Sequence, residues 1–197
     1  MGLSIPDLVR QALARRSKWS LTDESLMPAA VLITLYPKDG ECCVLLNKRS
    51  ELVEHHKGEI SFPGGARDPE DGDFMATALR EAHEEMGIDP SDVTILGELD
   101  DAVTRSGFGV RVLVGEIPHS YPFRPSDLEI AEVLEVPILN LYNPANVRWE
   151  TRWNGEGLTT VYSYVHEEHV VFGATAKILQ QFLEILEEPL KKEGLTS

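Results

Sequence analysis

The chain has 197 residues, a length suited to one domain with a sizeable core, and its 42% hydrophobic and 26% charged residues are ordinary globular usage, which excludes general disorder. Asp and Glu number 33 against 18 Lys and Arg, and the resulting formal charge of −15 argues against binding nucleic acid or an anionic membrane, since both need cationic patches. The longest apolar run, residues 29–36, is far short of the ~20 residues of a spanning helix, so no membrane partner is expected and an anionic substrate would need a cation as mediator.

The first 19 residues carry Arg10, Arg15, Arg16 and Lys18 against Asp7. Without an apolar signal core they read as an amphipathic helix, with Leu3, Leu8, Val9, Ala12 and Leu13 toward the core, and not as a targeting segment. Pro6 stands where a myristoylation site needs Ser or Thr, and Leu195-Thr196-Ser197 is not the peroxisomal address. Residues 29–36 are an apolar, β-branched run, Pro37-Lys38-Asp39-Gly40 is turn chemistry and residues 42–46 are a second apolar run, which together predict a hairpin. Cys42 and Cys43 are adjacent within it and form no spaced disulfide framework, so a reducing, cytoplasmic setting is expected.

Residues 47–72 are rich in charge, Gly and Pro. Helical periodicity over 73–86 is ended by Gly87 and followed by Pro90. Downstream, residues 93–99, 108–117, 133–138, 147–153 and 161–165 read as strands, with loops at 120–127 and 143–146. A second long helix is predicted over 173–186, with Ile178, Leu179, Phe182, Leu183 and Leu186 on its buried stripe, and about the last eight residues read as frayed. The expected fold class is α/β (α+β), a mixed sheet with helices on both faces. The expected organisation is an N-terminal helix and lead-in over 1–27, one domain over 28–190 and a tail over 191–197. Exposed edges of such a sheet make a homodimer plausible.

The helix over 73–86 carries the chemistry. At 100° per residue Met75, Leu79, Ala82 and Met86 fall within ~60° and form an apolar seam, with Glu81, Glu84 and Glu85 together on the other side. Like charges three and four residues apart cost about 0.2–0.5 kcal/mol per pair. Two of these carboxylates also sit in the last turn, where the helix dipole disfavours an anion by about 0.3–1 kcal/mol. A hard, oxygen-rich cluster of this kind suits Mg²⁺ or Mn²⁺, which would cancel the repulsion. The plain alternative is a solvated acidic face. The surroundings favour the metal: Phe62-Pro63-Gly64-Gly65 precedes the helix, Arg80 adjoins Glu81, and Gly87-Ile88 follows Met86. Paired glycines let backbone approach a ligand, and the Gly64 carbonyl could complete a metal shell. Arg80 can fork onto a carboxylate, and Gly87 permits a left-handed helix end.

Gly64-Gly65, a 14-residue interval and then Arg80-Glu81-Ala82-His83-Glu84-Glu85-Met86-Gly87-Ile88 resemble the signature of the Nudix hydrolases. The second half matches in full. The first half matches with one inserted residue, which aligns Gly65 and brings Asp71 to the acidic position; Asp71, Asp68 and Asp73 compete as the partner of Arg80. The longer stretches Leu45-Leu46-Asn47-Lys48-Arg49-Ser50, Gly58-Glu59-Ile60-Ser61-Phe62-Pro63-Gly64-Gly65 with Asp68 and Asp71, Thr104-Arg105-Ser106-Gly107-Phe108 and Phe172-Gly173-Ala174-Thr175-Ala176-Lys177-Ile178-Leu179 look like the coenzyme A diphosphatase (CoA pyrophosphatase) branch. Asn47 replaces the usual Thr there, Glu54 an Arg, and Ala66 a basic residue.

The resemblance implies a Nudix-like α/β/α sandwich and metal-dependent hydrolysis of a diphosphate, giving 3′,5′-ADP and 4′-phosphopantetheine from coenzyme A. ADP-ribose, a dinucleotide cofactor, or nucleotide binding without turnover are the other readings. It implies that Glu81, Glu84 and Glu85 hold one to three Mg²⁺ or Mn²⁺ ions with the Gly64 carbonyl, and that Glu81 ligates metal or acts as base. Glu129 and Glu132 are further candidates for the base, or plain solvated charge. Arg49 and, more weakly, Arg67 are candidates for substrate phosphate, since guanidinium forks onto phosphate oxygens; Gly65 would lie against the substrate. His55 and His56 could touch an anion but read as surface residues. His166 and His169 flank Glu167-Glu168 without a compact zinc pattern. Trp149 and Trp153 share a strand face and could stack an adenine, with core packing the preferred reading. Residues 68–73 fail the calcium-loop template, and no phosphate-binding P-loop is present.

Overall fold

The structure is a computed structural model that describes residues 3–52, 57–118, 120–153, 155 and 157–196. His55, His56 and Glu54 lie outside the described residues. Helix α1 (Ile5–Ala14) starts at Ser4, whose hydroxyl accepts the Asp7 N–H, with Pro6 in the first turn, where its missing N–H costs nothing. Ile5, Leu8, Val9 and Leu13 are buried, whereas Leu3 precedes the helix and is exposed.

Strand β1 (Met27–Lys38) turns through Asp39 and Gly40, both at positive φ (50° and 84°), into β2 (Glu41–Arg49). That is the hairpin expected from the turn chemistry. β1 is apolar almost throughout because it is central. It pairs antiparallel with β2 and with the short β4 (Gly64–Ala66), and parallel with β7 (Phe108–Glu116). β2 in turn pairs with β3 (Ile60–Ser61) and β8 (Ile130–Pro137), while β5 (Thr94–Glu98) and β6 (Ala102–Val103) pair with β7. The mixed sheet thus runs β3-β2-β1-β7-β5.

Helix α2 (Phe74–Met86) covers one face, where Ala78, Ala82, Met86 and Ile88 pack on Ala30, Leu32, Leu45 and Leu113. The other face carries α1 and α3 (Gly173–Lys192), with Phe182, Leu179, Leu183 and Leu186 against Ile33, Leu35, Val44 and Leu46. The alternation along β1 and β2 feeds both layers, each fully buried side chain stabilising the fold by about 1.5–3 kcal/mol. This is the expected α/β/α sandwich. A separate three-stranded sheet, β9 (Val147–Trp153), β10 (Leu158–His166) and β11 (His169–Val171), leads into α3.

Three expectations need correction. The buried face of α2 is turned from the predicted seam: Thr77, Ala78, Ala82, Glu85 and Met86 are buried, Leu79 is half-buried and Met75 is exposed. The Gly64 N–H of β4 and the side chains of Asn47 and Arg49 on β2 hydrogen-bond Glu85 and draw it inward. Trp149 and Trp153 are not core residues, because β9 is the edge strand of the smaller sheet and both indoles are exposed. The last helix does not end at 186 as expected, because α3 continues through Pro189 to Lys192 and buries Leu190.

Candidate active site

Helix α2 is anchored at both ends. Asp73 caps its N-terminus by accepting the Ala76 N–H at 2.8 Å. Gly87 closes its C-terminus at φ 70° and donates to the His83 carbonyl. The segment around residue 124 completes that end, with the Arg124 and Ser126 N–H groups on the carbonyls of Met86 and Glu85.

At 100° per residue Glu85, Glu81 and Glu84 step from the buried side of this helix to the open one. Glu85 is fully buried. Its Oε2 accepts from Asn47 Nδ2 at 3.0 Å and from the Gly64 N–H at 3.1 Å, and its Oε1 from Arg49 Nη1 at 3.0 Å. Asn47 is oriented by the Ser61 hydroxyl, which donates to its Oδ1 at 2.8 Å. Strand alternation explains the pair: Asn47 and Arg49 follow Leu45 on the α2 face of β2. Burial pushes the Glu85 carboxyl up to about 7, against the downward pull of Arg49, the Gly64 N–H and Asn47.

Glu81 lies half-way. Burial raises its pKa, Arg80 opposes the rise, and the charges of Glu84 and Glu129 add to it. Glu84 reaches solvent. Arg80 settles the competition among the three aspartates: its Nε and Nη2 fork onto Asp71 Oδ1 and Oδ2, both at 3.1 Å, whereas Asp68 is at 3.8 Å and Asp73 caps the helix. The hydrogen bonds from Arg80 hold the Asp71 carboxyl well below the usual range. The same guanidinium donates to Glu81 Oε1 at 2.9 Å, Glu84 Oε2 at 3.0 Å and the Ala66 carbonyl at 3.1 Å. Arg80 therefore positions two of the three glutamates against the 68–72 loop.

The glycine pair is explained by what surrounds it. A Cβ on Gly64 would stand 2.4 Å from the Ala30 carbonyl oxygen, and one on Gly65 would stand 2.5 Å from Glu81 Oε1. Gly65 thus brings bare backbone against the acidic ladder. Two desolvated carboxylates with raised pKa, a third open to solvent and an adjacent glycine backbone fit a hard divalent cation, which would lower the cost of ionising Glu81 and Glu85 together.

Other expected site residues fall in different places. Arg49 sits beside Glu85, with its Nε buried and unpartnered among the described residues. Arg67 donates to the Asp71 and Gly72 carbonyls and lies over the Phe74 ring at 5.1 Å, so it supports the loop that holds Asp71. Glu129 stands close enough to Glu81 to raise its pKa. Glu132 points to the opposite face of the sheet, where it meets His169 Nε2 at 3.1 Å and Lys48 at 3.9 Å. Glu132, Glu168 and His169 form a compact donor group, their ligand atoms within 4.8 Å of one another. The local pattern around His166 did not reveal it, because Glu132 comes from a distant strand. Asn47 as an orienting group for Glu85 was also missed. The signal was a polar residue inside the apolar run of β2.

The family model for the NUDIX domain matches residues 26–153. A Yersinia enterocolitica protein named "Uncharacterized Nudix hydrolase NudL" is 35% identical over 156 residues, which cover 79% of this chain and 80% of that one. Its namesake in Photorhabdus laumondii is 33% identical over 156 residues, with 79% and 83% covered. Among solved structures, the fold is similar to the Nudix hydrolase RenU of M. smegmatis (TM-score 0.54, 20% identity, 86% of this chain and 88% of that one). It is also similar to the NUDIX domain of Shewanella oneidensis NrtR complexed with ADP ribose (TM-score 0.52, 16% identity, 89% and 97%). With the family model spanning most of the chain and the acidic ladder assembled beside its glycine pair, the chain belongs to the Nudix hydrolase family.

Proposed function

We propose that this protein hydrolyses the diphosphate linkage of coenzyme A or acyl-coenzyme A, giving 3′,5′-ADP and (acyl-)4′-phosphopantetheine, with Mg²⁺ or Mn²⁺. The observation that carries the hydrolysis is the graded ladder of Glu85, Glu81 and Glu84 against the Gly64-Gly65 backbone. The coenzyme A assignment rests on the branch resemblance of residues 45–50, 58–65, 104–108 and 172–179. The assembled form in this reading is a homodimer. The setting is the cytoplasm, which suits two unpaired thiols at Cys42 and Cys43. Among the described residues no helix is long and apolar enough to cross a membrane.

In hydrolysis water supplies an oxygen to one phosphorus, the bridging P–O bond breaks, and the water proton leaves to a base. A divalent cation, when bound, supplies charge neutralisation on the diphosphate oxygens and lowers the pKa of the attacking water. Glu81, Glu84 and Glu85 are the residues that would hold it, and the Gly64 carbonyl would be a further ligand. Asn47, Arg49 and the Gly64 N–H keep Glu85 in one orientation, so little reorganisation accompanies the reaction. Arg80 does the same for Glu81 and Glu84. Arg49, part-exposed beside Glu85, is the guanidinium placed to meet a phosphate oxygen, and Gly65 allows the substrate to lie against backbone. Glu81, with its pKa raised, is placed to accept the proton if it is not committed to metal, and Glu129 is the next carboxylate.

The test is incubation with coenzyme A and, separately, ADP-ribose, each with Mg²⁺, Mn²⁺ or EDTA, and chromatography of the products. Metal-dependent release of 3′,5′-ADP, reduced about 100-fold or more in Glu85→Gln, is the expected result. Cleavage of ADP-ribose alone would overturn the coenzyme A assignment and leave the diphosphatase chemistry. Binding without product from either would favour a non-catalytic module.

A further inference from the structure

The β9–β10 hairpin carries its residues in strict alternation. Val147, Trp149, Thr151 and Trp153 share one face with their partners Tyr164, Tyr162, Thr160 and Leu158. The base of this face belongs to the core, with Tyr164 buried and Val147 and Tyr162 packed beside it. Beyond the base the same face leaves the body of the protein, and Trp149, Trp153 and Leu158 are 69%, 68% and 75% exposed. On one side β9 pairs with β10, and its other edge pairs with no strand among the described residues. An unpaired edge with bulky apolar side chains is a template for another chain.

Charge points to what that chain is. The protein carries −15, yet residues 147–166 hold Arg148 and Arg152 against Glu150 and Glu156, a balance of zero. Two copies can approach through this hairpin without the repulsion that opposes contact elsewhere. The order of the charges is also self-complementary. Arg148, Glu150 and Arg152 lie on the face opposite the indoles, and their sign alternates. A two-fold axis perpendicular to the sheet keeps each face on its own side, so it passes through a residue. With the axis at Thr151, each Glu150 opposes Arg152 of the other copy and each Trp149 opposes Trp153, so every large apolar side chain of the strand is covered. An axis at Glu150 or at Arg152 would set like charges together. An axis at Trp149 would leave Trp153 bare and Arg152 with no acidic partner in the other copy, only Glu150 of its own strand.

We propose that the protein forms a two-fold homodimer by antiparallel pairing of β9 with β9 of a second copy about Thr151, which joins two three-stranded sheets into one of six strands. The two acidic-ladder sites remain separate, because β9 lies outside the main sheet.

The full chain tests this by sedimentation and light scattering, with E150R and R152E as variants. Both positions are exposed, so circular dichroism should show an unchanged fold. Each single variant sets like charges against each other and should weaken association at least ~10-fold. An equimolar mixture of the two variants, in which one chain carries two arginines and the other two glutamates at these positions, should restore the dimer, as should the double swap E150R/R152E. Tryptophan emission should shift to the blue with association. A wild-type chain that stays monomeric up to about 1 mM, or a dimer that neither variant weakens, would overturn the proposal. Failure of the mixture to recover would overturn the Thr151 register. Stoichiometric uptake of a different protein by the monomer would assign the edge to that partner instead.

Discussion

Two adjacent glycines face different constraints, and alanine at each position separates fold from function. At Gly64 the added methyl meets backbone, 2.4 Å from the Ala30 oxygen and 2.7 Å from the Val31 Cα, and neither can move without breaking the β1–β4 pairing. Gly64→Ala should cost about 3 kcal/mol or more, seen as a large fall in melting temperature. At Gly65 the three atoms nearest the methyl all belong to the Glu81 carboxylate, at 2.5–2.7 Å, the far end of a flexible side chain that can swing away. Gly65→Ala should melt within a few degrees of the parent and lose about 10-fold or more in kcat, because the carboxylate is displaced from its neighbours. Equal melting losses in both variants would refute this division.

Glu85 links pH to the metal. Its carboxyl stands at about 7 in the folded, metal-free protein against an ordinary value of 4.5. Ionising it therefore opposes folding: its contribution is fully present below 4.5 and is lost as pH rises through 7. A cation held by the ionised form reverses that loss and displaces a proton. Stabilisation by Mn²⁺ should accordingly increase between about pH 6 and pH 8, by up to ~10-fold in affinity per pH unit below 7. Thermal melts with and without Mn²⁺ at the two pH values read this directly. A shift independent of pH would remove Glu85 from the ligand set.

At the scale of the element, α2 is a short helix that must present three carboxylates at a defined height above β4, so its ends carry much of the precision. Asp73 fixes the first turn through the Ala76 N–H, and Gly87 with residues 124–126 fixes the last. Asp73→Ala should destabilise the protein by about 1 kcal/mol, a fall of roughly 2–4 °C in melting temperature. It should lower activity less than Glu85→Gln does, since Arg80 still ties Glu81 and Glu84 to Asp71. A loss of activity equal to that of Glu85→Gln would mean that the cap, and not the Arg80 lattice, sets the height of the ladder. Thermal melts and steady-state rates on the same samples decide between them.

For the whole molecule the dominant long-range term is the charge of −15. On the proposed function, a substrate carrying phosphates is repelled by this charge until it comes close to the cation that the glutamates would hold and to Arg49. Screening shrinks the range of that repulsion from ~30 Å at 0.01 M salt to ~8 Å at 0.15 M, so kcat/KM for coenzyme A should rise about 2- to 10-fold over this range at fixed free Mg²⁺. A fall would show that local attraction at the site outweighs the global field.

Much of this molecule was legible in its linear order. The hairpin at Asp39-Gly40, the helix between Asp73 and Gly87, the strand at 147–153 and the glycine–glutamate signature all depend on contacts within a few residues, and periodicity and turn chemistry report such contacts. The sequence by itself determined the class of fold, the family and which glutamates are proposed for the site. The tertiary structure decided which of those glutamates is buried, which of three aspartates holds Arg80, and that Asn47 orients Glu85. It also set Glu132 away from the site and left Trp149 and Trp153 bare at an edge. These depend on which strand lies beside which and on where a sheet ends, and neither property leaves a trace in the spacing of residues along one chain.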